Sequence, residues 1–259
     1  MKITFLGTNG WYATNTGNTV CTLIDTPERY IVLDAGDGIY RLDEYAKDKS
    51  KPVDIFISHF HLDHVFGLHI QPRFHFKNKI RIFVQKNTSN IIRTIINKPF
   101  TAPPELLEKI GLDVSVHELN LGKNNIDEYI VHTAPLVHAD PCWGFRFEIP
   151  TNKEKEKKII SYCTDTGPCE NIISLSKNAD VFITECGLLP GEEIPKEWPH
   201  LNPETAAEIA KKSNCKKLFL THFGAHKYVN MKLRDDAQKI ARKIFENSFS
   251  AKDEMEIIV

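Results

Sequence analysis

The sequence predicts an α/β fold, a sandwich of sheets covered by helices, and three observations predict it. Short apolar runs recur from one end of the chain to the other. Several are near-continuous in Val, Ile, Leu and Phe, the pattern of strands buried on both faces. Segments with helical spacing are distributed between two groups of these runs, so helices are available to cover the sheets. No linker divides the 259 residues, and 1–259 is expected to form one domain.

Each element has its own signal. Strands are expected at residues 2–6, 19–25, 30–34, 53–58, 79–84 and 113–119, then at 129–134, 143–149, 158–164, 180–184, 216–221 and 255–259. Helical spacing marks 39–47, 89–97 and 171–177. A better-marked helix opens at Asn202-Pro203-Glu204. Asn202 can cap it, Pro203 suits its first position, and Glu204 complements the positive end of the dipole. Ala206, Ile209 and Ala210 then form its apolar stripe. A last helix over 233–245 puts Ala237, Ile240, Ala241, Ile244 and Phe245 on one face. The Lys/Glu run 152–158 reads as a solvated hairpin tip, since its alternating charges largely cancel.

Composition narrows the class. With 41% hydrophobic and 26% charged residues the chain is an ordinary globular protein, and a net charge of -1 gives no global pull toward nucleic acid or anionic lipid. The N-terminus lacks the apolar core and cleavage site of a signal peptide, and no apolar stretch approaches the roughly 20 residues that cross a bilayer. The six cysteines form no Cys-x-x-Cys pair and are expected as buried free thiols in a cytoplasmic protein that does not engage a membrane.

The chemistry is concentrated at His59-Phe60-His61-Leu62-Asp63-His64, directly after a buried-looking strand. Residues i and i+2 of an extended chain point the same way, so His59 and His61 can approach one ion together. The chain then turns and lets Asp63 and His64 reach a second position. Imidazoles with a carboxylate suit zinc first, and also iron, manganese or cobalt. Two ions need more donors. His138, Asp165 and His222 each end an apolar run, the place from which open α/β sheets present functional side chains.

His59-x-His61-x-Asp63-His64, followed in order by His138, Asp165 and His222, resembles the metallo-β-lactamase superfamily. The opening Ile3-Thr4-Phe5-Leu6-Gly7-Thr8 and the turn Leu33-Asp34-Ala35-Gly36 are similar to its N-terminal half. The resemblance implies an αββα four-layer sandwich. It implies one divalent ion on His59, His61 and His138, a second on Asp63, His64 and His222, and Asp165 bridging them together with water or hydroxide. Asp34 would support the ligand loop from behind.

Glu185, at the end of a strand-like run, and His200, just before the helix at Pro203, look like motifs of the ribonuclease Z group. In that group such a pair assists phosphodiester cleavage. The resemblance therefore implies a dinuclear phosphodiesterase, with His200 aiding the phosphoryl or leaving oxygen, Glu185 orienting His200, and Asp63 positioning water beside its role as ligand. The plainer alternatives are a loop histidine at a helix start and a strand-end salt bridge. A metal-dependent carbonyl hydrolase, such as a lactonase, thioesterase or β-lactamase, is the competing activity, because the same ions polarise a carbonyl.

One departure redirects the substrate. The group's long RNA-gripping arm falls between the equivalents of His138 and Asp165, where this chain has only the Lys/Glu-rich run. Transfer RNA is therefore disfavoured, and a small or cyclic phosphodiester, a nucleotide or an RNA end is expected. Homodimers are common in the group resembled. Residues 66–104 are expected to shape the entrance, with Phe74, His75 and Phe76 packing a loop rather than stacking on a base. His69 and His75 lack ligand spacing, and His226 is expected at the surface.

Overall fold

The computed structural model describes residues 1–151 and 156–259. Of the expected hairpin tip at 152–158, residues 152–155 lie outside the described residues, whereas Lys157 and Lys158 pair as strand with Pro150 and Ile149. The first half contributes β1 (Lys2–Gly7), β2 (Asn9–Gly10), β3 (Cys21–Asp25), β4 (Tyr30–Leu33), β5 (Val53–Phe56), β6 (Ile80–Gln85) and β7 (Val114–Leu119). The second half contributes β8 (Gly122–Ile126), β9 (Tyr129–Pro135), β10 (Trp143–Pro150), β11 (Lys157–Cys163), β12 (Val181–Cys186), β13 (Leu218–Gly224), β14 (Ser248–Ser250) and β15 (Glu256–Ile258). These make two mixed sheets. One runs β15-β1-β3-β4-β5-β6-β7 and the other β14-β13-β12-β11-β10-β9-β8, with β2 beside β13.

Three hydrophobic clusters separate four layers. In the middle, Phe5, Leu33 and Phe56 of one sheet meet Phe145, Phe147 and Ile183 of the other. Phe56 stacks on Phe83 at 4.7 Å and meets Phe147 edge-on at 5.0 Å, so one ring joins both sheets. The opposite face of the first sheet carries Leu23, Val32 and Ile55 against Ile92 and Leu107 of the helices α3 (Ser89–Ile95) and α4 (Pro104–Lys109). The opposite face of the second carries Phe182 and Leu220 against α5 (Glu170–Ser176), α6 (Pro203–Ser213) and α7 (Met231–Ile244). Alternation decides the facing: Val181 and Ile183 enter the central layer, and Phe182 between them enters the helical one. The αββα sandwich is the architecture observed.

All twelve expected strands are present, with ends shifted by no more than three residues. Asn202 caps α6 by accepting from the Thr205 amide at 2.9 Å. Other elements had no apolar signature. β8, Gly-Lys-Asn-Asn-Ile, is a polar edge strand, and β14 is only three residues long. Residues 39–47 form a 3-10 turn (Asp37–Arg41) running into the short α1 (Leu42–Tyr45), rather than one continuous helix. The helical face of α7 buries Ala237 and Ala241 as expected but also Arg234. No helix among the described residues is long and apolar enough to cross a membrane. The six cysteines are free thiols, five of them buried.

Several strands end at the same edge of the sandwich, and sharp turns occur there. Asp34 after β4, Asp165 after β11 and His222 within β13 have φ of 55°, 51° and 46°. Left-handed backbone at a non-glycine residue costs on the order of 1 kcal/mol or more and persists where surrounding contacts over-determine it. Each of the three turns a polar side chain away from the ladder, Asp165 and His222 into the cleft and Asp34 beneath it.

Candidate metal centre

β5 ends at Phe56, and the next residues form the ligand loop around α2 (Leu62–Val65). Asp34 supports that loop from beneath. Its Oδ1 accepts the Ser58 amide at 2.7 Å, and its Oδ2 accepts Ser58 Oγ at 2.8 Å, His64 Nδ1 at 2.8 Å and Tyr162 Oη at 2.7 Å. With Nδ1 donating downward, His64 presents Nε2 to the cleft.

His222 sits in a bulge: Glu185 pairs with Thr221 and Cys186 with Phe223, leaving His222 as the extra residue. Its Nε2 lies 3.2 Å from Asp63 Oδ2, 3.3 Å from Asp165 Oδ2 and 3.2 Å from His64 Nε2. Gly10 of β2 lies against it, where a Cβ would overlap the imidazole ring. His61 is steered by Asp140, which accepts from Nε2 at 2.8 Å, leaving Nδ1 3.5 Å from His138 Nε2.

The donor atoms of His59, His61, His138 and Asp165 lie within 4.8 Å of one another, and so do those of Asp63, His64 and His222. All seven sequence-derived ligand candidates are thus brought together. The chemistry of the set fits divalent cations. His59 Nε2 is buried with no hydrogen-bond partner, while 4.0 Å from Asp165 Oδ1. Two imidazole nitrogens at 3.2 Å, such as those of His64 and His222, need a shared proton or a cation between them. Without a cation, protonation supplies the charge. Burial works to lower His64, but Asp165, Asp63 and Asp34 push it well above its ordinary value. Burial likewise works to raise Asp63, yet His64 and His222 hold it well below the usual carboxylate range.

Glu185, at the end of β12 and fully buried, accepts the Thr166 amide at 2.6 Å and the Gly187 amide at 3.1 Å. Both of its oxygens lie 2.9 Å from His200 Nδ1. Burial opposes charge on His200, but Glu185 outweighs it, aided by Asp165 and Asp63, and the ring is pushed up to about 9. A third set of donors overlaps the first two: Asp165, His200 and His222 also have ligand atoms within 4.8 Å of one another.

These groups open on a cavity of about 760 Å³ lined by His61, Asp63, Asp165, His200 and His222, with Gly10, Trp11, Leu188, Pro195, Trp198, His226 and Lys227 among the other walls. Residues 66–104 do not line it, contrary to expectation; the segments around residues 10, 187–200 and 224–227 do, because crossovers bring them over the strand ends. Phe74 and Phe76 are buried in the helical layer, as their packing reading requires. His75 pairs with Asp43 at 2.6 Å and His69 with the Phe66 carbonyl. His226 is exposed, as expected, and also borders the cavity.

Sequence reasoning missed Trp11, Asp140, Tyr162 and Trp198. The Trp11 amide donates to Asp63 Oδ2 at 2.7 Å, and Trp198 stacks on His61 with 5.4 Å between centroids and 2° between planes. Spacing could not reveal the first three. Only the adjacency of Trp198 to His200 was a usable signal.

Residues 29–223 match the family described as the beta-lactamase superfamily domain. The chain is similar to ribonuclease Z of Clostridium novyi, at 28% identity over 98% of this chain and 97% of that protein. Ribonuclease Z of Pyrococcus abyssi is 29% identical over 93% of this chain and 91% of its own length. Among solved structures, human tRNase Z, short form, has a similar fold, with a TM-score of 0.72 at 23% identity over 100% of this chain and 99% of that one. Because the family match takes in most of the chain, including the whole ligand loop and the turn at Asp34, the chain belongs to the beta-lactamase superfamily.

Proposed function

We propose that this chain is a phosphodiesterase working with two divalent cations, zinc being the one best suited to imidazole and carboxylate donors. His59, His61 and His138 would hold one ion, Asp63, His64 and His222 the other, and Asp165 would reach both. Bound there, the pair would activate water and neutralise charge on phosphoryl oxygens.

The observation that carries the reading is the Glu185–His200 pair. Glu185 fixes the proton on His200 Nδ1 and compensates a positive charge on the ring, at 2.9 Å from both carboxylate oxygens. The ring lies in the cavity wall beside Asp165 and His222. A cationic imidazole there can donate to a phosphoryl oxygen or deliver a proton to the leaving oxygen, the two places where charge builds in phosphodiester hydrolysis. The likeness to ribonuclease Z proteins supports the same bond type.

The substrate class we favour is a small or cyclic phosphodiester, or an RNA end. Transfer RNA is not favoured, because the described cavity walls hold one Lys or Arg, Lys227, and Glu192 neutralises it at 2.6 and 2.8 Å.

The test is metal analysis with assays on bis(p-nitrophenyl) phosphate and on a lactone. About two metal equivalents are expected, with diester turnover abolished by chelation and restored by metal. His200→Ala should lower kcat by about 10²–10⁴-fold with the metal retained, the usual scale for general acid–base assistance. A metal-replete chain that opens lactones but cleaves no phosphodiester would falsify the reading.

A further inference from the structure

We propose that Trp11 and Trp198 form a subsite for a planar, base-sized aromatic group attached to the phosphodiester. The proposal rests on the phosphodiesterase reading and names its substrate: a diester of mononucleoside size.

The cavity is far larger than a phosphate requires. At about 760 Å³ it falls in the range of sites that enclose whole small molecules, roughly 300–1,000 Å³. Its walls include two tryptophans that are 68% and 50% exposed, whereas Trp143 in the core is 9% exposed. With Leu188 and Pro195 beside them in the wall of one cavity, these exposed indoles belong to an apolar lining of the kind that marks a ligand-binding groove.

Both are held in place. Trp198 lies parallel to His61 and edge-on to His138, each at 5.4 Å, so it is fixed against two of the metal-ligand candidates. Trp11 is tied to Asp63 through its amide, and its ring contacts Tyr12 at 5.3 Å and His226 at 5.4 Å.

The loop that carries Trp11 is itself anchored. Arg234, fully buried and lying over Phe223, donates to Thr8 Oγ1 at 2.8 Å and to Asn9 Oδ1. Asn9 Nδ2 in turn donates to the Tyr12 carbonyl at 3.2 Å, Thr14 Oγ1 at 3.0 Å and the Gly17 carbonyl at 2.9 Å. Aromatic platforms already ordered in this way stack on a base at little further entropic cost. Leu188 and Pro195 extend the apolar wall. The single, neutralised Lys227 suits one phosphate rather than a polyanionic strand.

The experiment compares two esters with the same leaving group, the p-nitrophenyl ester of thymidine 5′-monophosphate and ethyl p-nitrophenyl phosphate. In the zinc-loaded chain, kcat/KM should favour the thymidine ester by about tenfold or more, the scale of one base–aromatic stack. Trp11→Ala and Trp198→Ala should each bring that ratio toward one, and Trp198→Phe should keep it. Using the ratio cancels any change in metal loading, which is measured separately. Thymidine 5′-monophosphate should also quench tryptophan fluorescence where ribose 5-phosphate does not. Equal turnover of both esters without quenching overturns the subsite and leaves the phosphodiesterase reading intact. A ratio unchanged in both alanine variants likewise overturns it. Base-dependent quenching without turnover of either ester supports the subsite and overturns the phosphodiesterase reading instead.

Discussion

The hydroxyl of Tyr162, on β11, donates at 2.7 Å to Asp34 Oδ2 at the end of β4, so each sheet contributes to one buried carboxylate. That carboxylate also holds Ser58 and His64, and hence the ligand loop. The candidate metal centre is therefore anchored across the seam between the sheets.

The first prediction concerns this anchor. Asp34→Ala should weaken metal binding by about 10–100-fold, the usual effect of losing a group that orients a ligand imidazole. Tyr162→Phe, which removes one of four donors, should cost less. Competition with a chromogenic chelator measures both, and an Asp34→Ala chain with unchanged affinity would show that the loop holds itself.

The second concerns pH. In the metal-free chain, His200 is pushed up to about 9 by Glu185, against the opposing effect of burial. A raised folded-state value means that the pair's stabilisation is complete below the ordinary histidine value of about 6.5 and is lost as pH rises through about 9. Nitrogen-15 NMR of the imidazole should show that titration, and Glu185→Gln should move it down. A His200 that titrates near 6.5 in the unaltered chain would contradict the charged pair.

Third, Gly10→Ala should displace His222, because a Cβ at residue 10 would overlap its ring. Overpacking of this kind costs about 1–3 kcal/mol. The expected outcome is a lower denaturation midpoint together with weaker binding of at least one metal equivalent. Full metal content at wild-type affinity would mean that the β2 turn yields instead.

Fourth, stability and metal binding should separate at Asp54. This buried carboxylate near the start of β5 accepts from Arg29 at 2.9 Å, Arg81 at 2.7 and 2.8 Å, and Tyr129 at 2.7 Å. Asp54→Ala strands those donors and should cost about 3 kcal/mol, the lower end for a broken buried pair, since Arg29 keeps Glu128 and Asp127. Urea denaturation reads the loss. Metal affinity in the folded variant should stay at the wild-type level, since the ligands follow the other end of the strand.

Local order was legible where burial leaves a repetitive mark. β4, Tyr-Ile-Val-Leu, is apolar on both faces because it lies between a helical layer and the other sheet, and its sequence says so directly. β8 sits at an edge, needs only backbone pairing, and so carries Gly-Lys-Asn-Asn without penalty. Arg234 was unreadable for the opposite reason. Its burial within α7 is compensated by Thr8 and Asn9, more than two hundred residues away.

By itself, the sequence determined the candidate donor set, the strands that present it and the layered α/β plan, since a dense His/Asp motif and continuous apolar runs are local properties. It also marked Glu185 and His200 as a pair. Tertiary structure alone decided the rest: the bulge that turns His222 inward, the carboxylate shared by Tyr162 and His64, and the walls of the cavity. Those walls came from residues around 10, 198 and 226 rather than from 66–104. Such contacts arise where distant strand ends and crossovers converge, and they leave no period or spacing in the chain.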